Sequence, residues 1–145
     1  MEEETEESVM PVIVEQGGFL PHRAYALDAG LDLRSPEDGV IPAHGYIAVD
    51  TLVHVQLPHG TYGKLCSKSG LNILHGITSD GTIDEGYVGS IKVALHNDGD
   101  EDYEFKRGDK ITQLVIHKID RPLVVQTNQL HAGDRGNNGY GSTGR

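Results

Sequence analysis

Cysteine and long apolar runs are what this sequence most lacks. Its single cysteine, Cys66, can form neither an intrachain disulfide nor the cysteine pair that structural zinc sites commonly use, which fits a reducing compartment. No stretch approaches the roughly 18 consecutive apolar residues of a membrane-spanning helix, and residues 1–9 carry five glutamates where a signal peptide would be basic and then apolar. We therefore expect a cytoplasmic protein with no membrane partner.

Positive charge is also scarce. Twelve Lys and Arg residues against 22 Asp and Glu residues give a formal net charge of −10. Nucleic-acid binding relies on basic side chains that neutralise phosphates, so this balance argues against a nucleic-acid partner. A small anionic ligand is still compatible with the sequence, because a few cations and backbone N–H groups at one site can outweigh the distant net charge.

Apolar side chains are few, but their spacing is informative. The apolar fraction is 37% and there are 19 glycines in 145 residues, which is typical of one domain rich in turns. Apolar residues repeat at period two, and turn signals at 36–39, 58–60 and 107–109 separate the runs. This pattern predicts an all-β sandwich, barrel or jelly roll. The alternating residues are Ile47, Val49, Val53, Val55 and Leu57, and then Ile91, Val93 and Leu95.

Three segments are expected along the chain. Residues 1–10 form an acidic tail, which we predict to be disordered because like charges with almost nothing apolar cannot offset the ordering entropy. Residues 11–131 form the single β domain. Its only helix is predicted at residues 69–75, with Ser69 as the cap. Residues 132–145 are rich in glycine, and this tail is either mobile or exists to hold a ligand.

An acid and an aromatic ring stand between glycines at residues 81–89, GTIDEGYVG, which we predict to form a hairpin. An ionised aspartate such as Asp84 can accept a proton from water when the fold places it within reach. The alternative for this segment alone is a β-turn whose acids bind backbone N–H groups.

Two other segments suit phosphate groups. In SKSGL at residues 67–71, Lys68 supplies charge, and the helix start supplies N–H donors; the alternative is an ordinary helix cap. In RGNNGYGSTG at residues 135–144, Arg135 suits a phosphate and Tyr140 can stack on a base, with hydroxyl groups from Ser142 and Thr143. The alternative there is a flexible tail.

These segments resemble, in the same order, the five motifs of the trimeric dUTPase family. The resemblance spans residues 29–144, and five matches in sequence are far more specific than any one of them. The motifs are AGLDLRS at 29–35, SKSGL at 67–71, GTIDEGYVG at 81–89, RGDKITQL at 107–114 and RGNNGYGSTG at 135–144.

The resemblance implies a jelly-roll-like dUTPase fold that assembles as a homotrimer with three shared active sites. Motifs one, two and four of one copy, motif three of a second copy and the tail of a third would meet at each site. The implied reaction is hydrolysis of dUTP to dUMP and pyrophosphate by water attack on the α-phosphate. This reaction keeps uracil out of DNA and supplies dUMP for thymidylate synthesis.

Individual roles follow from the same resemblance. Asp84 is the expected catalytic base, and Tyr87 lies against the deoxyribose. The expected cofactor is Mg²⁺, held mainly by the triphosphate, with Asp32 binding one of its waters. The remaining expected contacts are Lys68, Ser69, Gly70 and Gln113 to the phosphates, Thr78, Gly81, Thr82, Ile83 and Lys92 to uracil, and Arg135, Tyr140, Gly141, Ser142 and Thr143 in the closing tail.

Three positions depart from the usual family pattern. Lys68 stands where many members have arginine, Tyr140 replaces a more common phenylalanine, and Thr78 replaces an asparagine beside the base. Lys68 keeps the positive charge and Tyr140 keeps the stacking ring. Because Thr78 lacks the amide of an asparagine, uracil is predicted to be recognised chiefly by backbone groups.

The same fold also serves two other functions. A dCTP deaminase of the same fold carries a glutamate in the strand after motif three, where this sequence has Ala94, which cannot transfer a proton. A non-catalytic nucleotide-sensing or protein-binding relative is the second alternative, but Asp84, Ser69, Gln113 and the tail are all present.

Overall fold

The computed structural model describes residues 8–141, which contain ten β-strands and one short α-helix. The predicted all-β class is confirmed. The elements are β1 (Val12–Val14), β2 (Gly30–Arg34), β3 (Gly39–Ile41), β4 (Tyr46–Asp50), β5 (Val53–Val55), β6 (Thr61–Cys66), α1 (Ser69–His75), β7 (Ile77–Ile83), β8 (Lys92–Asn97), β9 (Tyr103–Phe105) and β10 (Lys110–Lys118).

Strand β7 connects the two halves of a curled antiparallel sheet. Six strands lie in the order β2-β10-β6-β7-β8-β4, and the pairs β1-β5 and β3-β9 form separate ribbons. Residues 77–80 of β7 pair with β8, whereas residues 81–83 pair with β6. A strand that changes partner midway forms a corner between two sheet halves. The far half of β7 therefore has one edge that no strand of residues 8–141 covers.

The core is built by the predicted period-two alternation. Val49 lies opposite Val93 across the β4–β8 pair, and both side chains are buried. Leu33, Leu65 and Leu114 complete the core from the other half of the sheet. Ile47, nearer the start of the edge strand β4, is only partly buried.

The helix has the predicted bounds but not the predicted cap. Lys68 is the N-cap residue, in extended conformation and without a side-chain cap hydrogen bond, and Ser69 is already the first helical residue. The cap prediction for Ser69 was therefore wrong. The helix ends at Gly76, whose φ of 70° is left-handed and therefore favours glycine. Among residues 8–141 no helix is long and apolar enough to cross a membrane.

The last described segment runs along the surface. Strand β10 ends at Lys118, and every residue from there to Gly141 is exposed. The last strand thus ends before residue 131, and the domain boundary that we expect there stays a prediction. Residues 1–7 of the predicted acidic tail, and residues 142–145, lie outside the described part of the chain.

Leu114→Ala should lower the free energy of unfolding by about 2–5 kcal/mol, because it leaves a cavity in the middle of the sheet. Leu114 is fully buried on β10, between β2 and β6. Urea unfolding at fixed protein concentration measures the change. Val40→Ala, at a side chain that is 44% exposed on β3, is the control and should shift the midpoint little. Equal midpoints for Leu114→Ala and the wild type would contradict this packing.

Candidate active site

Asp32 joins three of the five motifs through charge. It lies on β2 and is 4% exposed. Lys68, just before α1, places Nζ 2.5 Å from Asp32 Oδ1, and Lys110, at the start of β10, places Nζ 3.3 Å from Oδ2. A buried carboxylate is tolerated only when it is paired. Burial alone would raise the pKa of Asp32, but the hydrogen bonds and charges of the two lysines lower that pKa below its ordinary value.

Gln113 provides a second link between the same motifs. Its Nε2 donates to the carbonyl of Ser67 at 3.0 Å. Its side chain occupies the space beside Gly30, where an added Cβ would lie 2.2 Å from Gln113 Oε1. Gly30 is thus required by this close approach. Motifs one, two and four are held together within one chain.

The start of α1 offers donors to an anion next to this junction. The first N–H groups of a helix have no partner inside the helix, and Ser69 and Gly70 are both exposed there. The two lysines and one carboxylate of the junction leave a net positive charge beside them. The segment therefore has the electrostatics of a phosphate site.

Motif three is the end of a strand followed by a turn, between the consecutive antiparallel strands β7 and β8. Residues 78–83 belong to β7, and Asp84 is the first residue after it. The backbone N–H of Tyr87 donates to the carbonyl of Asp84 at 3.1 Å, and Gly86 has a φ of 91°. A turn with a left-handed third residue requires glycine there. Asp84 is exposed.

A cavity of about 240 Å³ lies against this turn. Because a water takes about 30 Å³ of liquid volume, this is room for a small ring system. Tyr87 is held in place by its hydroxyl, which donates to the carbonyl of Ser90 at 2.9 Å. Five of the predicted site residues meet here; the lining is Thr82, Ile83, Asp84, Tyr87, Ile91 and Lys92.

Thr78 and Gly81 do not line this cavity. Thr78 lies at the other end of β7, opposite His96. Gly81 has a packing role, because an added Cβ would lie 2.9 Å from Leu65 Cδ1. Its N–H donates to Asp80 Oδ1 at 2.9 Å and is already occupied.

The cavity and the junction of motifs one, two and four around Asp32 are far apart within one chain. Ser67 lies opposite Ser79, whose N–H donates to Ser67 Oγ at 3.0 Å. Five strand residues then lead to Asp84, which at about 3.3 Å each is a separation of about 16 Å. One copy therefore does not bring Asp84 to its own motif two.

The tail residues also lie away from the cavity. Arg135, Tyr140 and Gly141 are exposed, and Arg135 Nε donates only to the nearby carbonyl of Asn138, at 3.1 Å. Ser142 and Thr143 lie outside the described residues. Within residues 8–141, no three His, Cys, Asp or Glu side chains are grouped so that they could hold a metal ion.

Known proteins are similar to this chain in sequence and in fold. A sequence profile of the dUTPase family matches residues 18–144. The chain belongs to the dUTPase family. The family predicted from the five motifs is thereby confirmed.

Relatives of this dUTPase family member are found in fungi and bacteria. The chain is 43% identical over 131 residues to the deoxyuridine 5'-triphosphate nucleotidohydrolase of Candida albicans, covering 88% of this chain and 82% of the relative. It is 42% identical over 134 residues to the enzyme of the same name from Clostridium kluyveri, covering 90% of this chain and 94% of the relative.

Solved dUTPase structures share the fold. The dUTPase of Staphylococcus bacteriophage 80alpha with dUPNHPP superimposes with a TM-score of 0.90 at 26% identity, over 96% of this chain and all of that one. A point mutant of the dUTPase from phage phi11 of S. aureus has a TM-score of 0.80 at 25% identity, over 86% of this chain and 100% of that one. That structure is described as revealing the coordination of a structural Mg(II) ion.

Sequence reasoning missed three residues around the site of this dUTPase. Lys110 lies in motif four but was given no role, although it pairs with Asp32. Glu85 follows Asp84 and binds His59, Gly60 and Arg121. His54 contacts the turn after Tyr87. Only the position of Glu85 beside Asp84 was a signal that the sequence offered.

His54 faces acceptors with both ring nitrogens. Nδ1 lies 2.7 Å from the carbonyl of Val88, and Nε2 lies 2.9 Å from Glu15 Oε2. Both nitrogens must carry hydrogen to satisfy these contacts, which favours the charged ring. The Val88 carbonyl, followed by Glu15, raises the pKa of His54 above its ordinary value, with a further contribution from the charge of Asp50.

His54→Gln should destabilise the protein more at pH 5.5 than at pH 9. A raised folded-state pKa contributes stability that is fully present below the unfolded pKa, near 6.5, and is lost as the pH rises through the folded value. Thermal midpoints of wild type and variant at both pH values measure this difference. His44→Gln, at an exposed His44–Asp100 pair, is the control and should change the midpoint little at either pH. The same loss for His54→Gln at both pH values would contradict this prediction.

Proposed function

We propose that this chain hydrolyses dUTP to dUMP and pyrophosphate, with Asp84 as the general base. The observation that carries the proposal is the cavity in which Asp84 lies beside Tyr87 and Lys92, in a chain that belongs to the dUTPase family. The reaction would remove dUTP, keep uracil out of DNA and supply dUMP for thymidylate synthesis.

Asp84 is placed to activate water. Its exposed position at the edge of the cavity lets a water lie between its carboxylate and a bound α-phosphate. The water attacks in line with the α–β bridging oxygen, its proton passes to Asp84, and pyrophosphate leaves. Positioning of this water accounts for most of what a single carboxylate can contribute.

The cavity suits a deoxynucleoside. The edge of residues 81–83 that faces away from β6 is not covered by β8, so the backbone groups along that edge can form the hydrogen bonds that a partner base would form with uracil. Tyr87, held by its bond to Ser90, would lie against the sugar and exclude a 2′-hydroxyl. Lys92 supplies a cation at the rim.

The triphosphate would lie on the junction of the other motifs. Ser69 and Gly70 donate from the first turn of α1, and Lys68 contributes charge, while Gln113 keeps the loop in place. Asp32 neutralises one of the two lysine charges. The attraction of Lys68 for phosphate therefore depends on Lys110, which supplies the second positive charge.

A magnesium ion fits this arrangement through Asp32. Mg²⁺ takes few protein ligands and prefers phosphate, carboxylate and water oxygens. Each carboxylate oxygen has two acceptor sites, and the lysines use one on each oxygen of Asp32, so Asp32 can still accept a hydrogen from a metal-bound water. When bound to the triphosphate, the ion would neutralise charge and fix the shape of the phosphate chain.

Each complete site would be assembled from several copies in a homotrimer. A general base must lie about 3 Å from the water it activates, which the separation of about 16 Å within one chain forbids. The exposed C-terminal segment carries apolar side chains suited to contact with another copy: Leu123, Val124, Val125 and Leu130. The tail, with Arg135, Tyr140, Gly141, Ser142 and Thr143, would then close over a neighbouring site and exclude water.

Asp84→Asn should lower kcat for dUTP by at least about 100-fold, because the amide cannot accept the proton. Pyrophosphate release measures the rate. Asp98→Asn is the matched control: it makes the same chemical change at an exposed residue just after β8, and should leave the rate unchanged. Equal rates for Asp84→Asn and wild type would rule out Asp84 as the base.

Mixing two inactive variants should restore activity. A chain lacking residues 135–145 has the base but no closing tail, whereas Asp84→Asn has the tail but no base. In an equal mixture refolded together, about one site in four receives its base from the first variant and its tail from the second, so about a quarter of wild-type activity should return. Each variant refolded alone is the control. No recovery in assembled mixtures would show that base and tail are not shared between copies.

A further inference from the structure

Glu85, the residue after Asp84, binds three residues in two other parts of the chain. Its Oε1 accepts from the backbone N–H of Gly60 at 2.8 Å and from Arg121 Nη1 at 3.0 Å. Its Oε2 accepts from His59 Nδ1 at 3.0 Å. Arg121 also donates to the carbonyl of Thr61 at 3.1 Å. One carboxylate thus ties the turn after β7 to the start of β6 and to the beginning of the C-terminal segment.

These contacts matter because strand pairing does not extend into the turn. The pairing of β7 with β6 ends at Ile83, and its pairing with β8 ends at Asp80. Residues 84–90 are therefore held largely by side chains, whereas the backbone of Ile91 is bonded to Thr51 and Val53. At the far end of the turn, His54 donates to the carbonyl of Val88, and Ser90 donates to Asp50 Oδ2 at 3.1 Å. At the near end, where Asp84 lies, Glu85 is the anchor.

Glu85 is unsuited to be the base itself. Both of its oxygens are engaged by donors, and its side chain is 26% exposed. His59, Gly60 and Arg121 together lower the pKa of Glu85 from its ordinary value to about 2, so it is ionised at neutral pH. Its role is to accept hydrogen bonds that fix the backbone.

We propose that Glu85 is a positioning residue, which fixes Asp84 by anchoring the turn to Gly60 and Arg121. The inference rests on the proposed hydrolysis of dUTP by Asp84. Arg121 also lies near the start of the exposed C-terminal segment. The carboxylate of Glu85 therefore also fixes the place where this segment leaves the sheet.

The test compares Glu85→Ala with Glu85→Gln by steady-state dUTP hydrolysis. Glu85→Ala should lower kcat about 10- to 100-fold, because a base displaced by about 1 Å loses its alignment with the water. KM should change less than about threefold, since the cavity walls and the phosphate junction are intact. Glu85→Gln keeps an acceptor for the Gly60 N–H and should recover much of kcat. A merely structural role would lower the thermal midpoint without this selective loss of kcat and its rescue.

Arg121→Ala gives a second reading if Glu85→Ala does not fold. It leaves the bond from Gly60 in place, so kcat should fall only about 3- to 10-fold. Arg121→Lys keeps one ion pair with Glu85, and its kcat should lie between those of Arg121→Ala and wild type. Glu104→Ala, the same truncation at an exposed residue of β9, is the matched control and should match wild type.

The possible failures are distinguishable. If wild type hydrolyses dUTP and Asp84→Asn does not, but Glu85→Ala and Arg121→Ala both retain wild-type kcat, the positioning role of Glu85 is overturned and the proposed function stands. If wild type releases no pyrophosphate from dUTP, the proposed function itself is overturned.

Discussion

The pairing of one buried carboxylate with two lysines is the interaction on which this site depends. Asp32 lies in the sheet, and Lys68 and Lys110 reach it from segments that are distant in sequence. If one of the lysines were removed, the desolvation of the buried carboxylate would be poorly compensated and the folded state would be destabilised. With both, three motifs are held together and one positive charge remains in excess, next to the start of a helix. The proposed binding of a phosphate chain and the stability of the loop before α1 would therefore have the same origin.

Strand β7 determines how far apart the two parts of the candidate site lie within one chain. Its first half pairs with β8 and its second half with β6, so it crosses from one half of the sheet to the other. Ser79, beside the phosphate junction, and Asp84, beside the cavity, lie at different points along this one strand. A stiff strand cannot fold back on itself to bring them together. The separation is thus a property of the strand, and it favours sites shared between copies.

Some of this organisation was predictable from particular residues, and some was not. Val49, Val93 and Leu95 alternate with small or polar neighbours, and a strand has only two faces, so their burial followed from spacing. The helix bounds followed from the residues between Ser69 and Gly76, but the cap did not, because whether a serine side chain reaches back to a backbone N–H depends on how the chain enters the helix. The pairing of Thr78 with His96 of β8 was not predictable, because the register between two strands is not encoded in local spacing.

The sequence by itself determined the strand periodicity, the family through its five motifs and the residue types available for chemistry, because these depend on local order along the chain. The tertiary structure alone decided that Lys110 joins Lys68 on Asp32, that Thr78 and Gly81 lie apart from the cavity, and that Glu85 binds Gly60 and Arg121. Such contacts join residues 25 to 78 positions apart, and the distance between two side chains across a sheet is set by register and curl, which spacing in the chain does not encode.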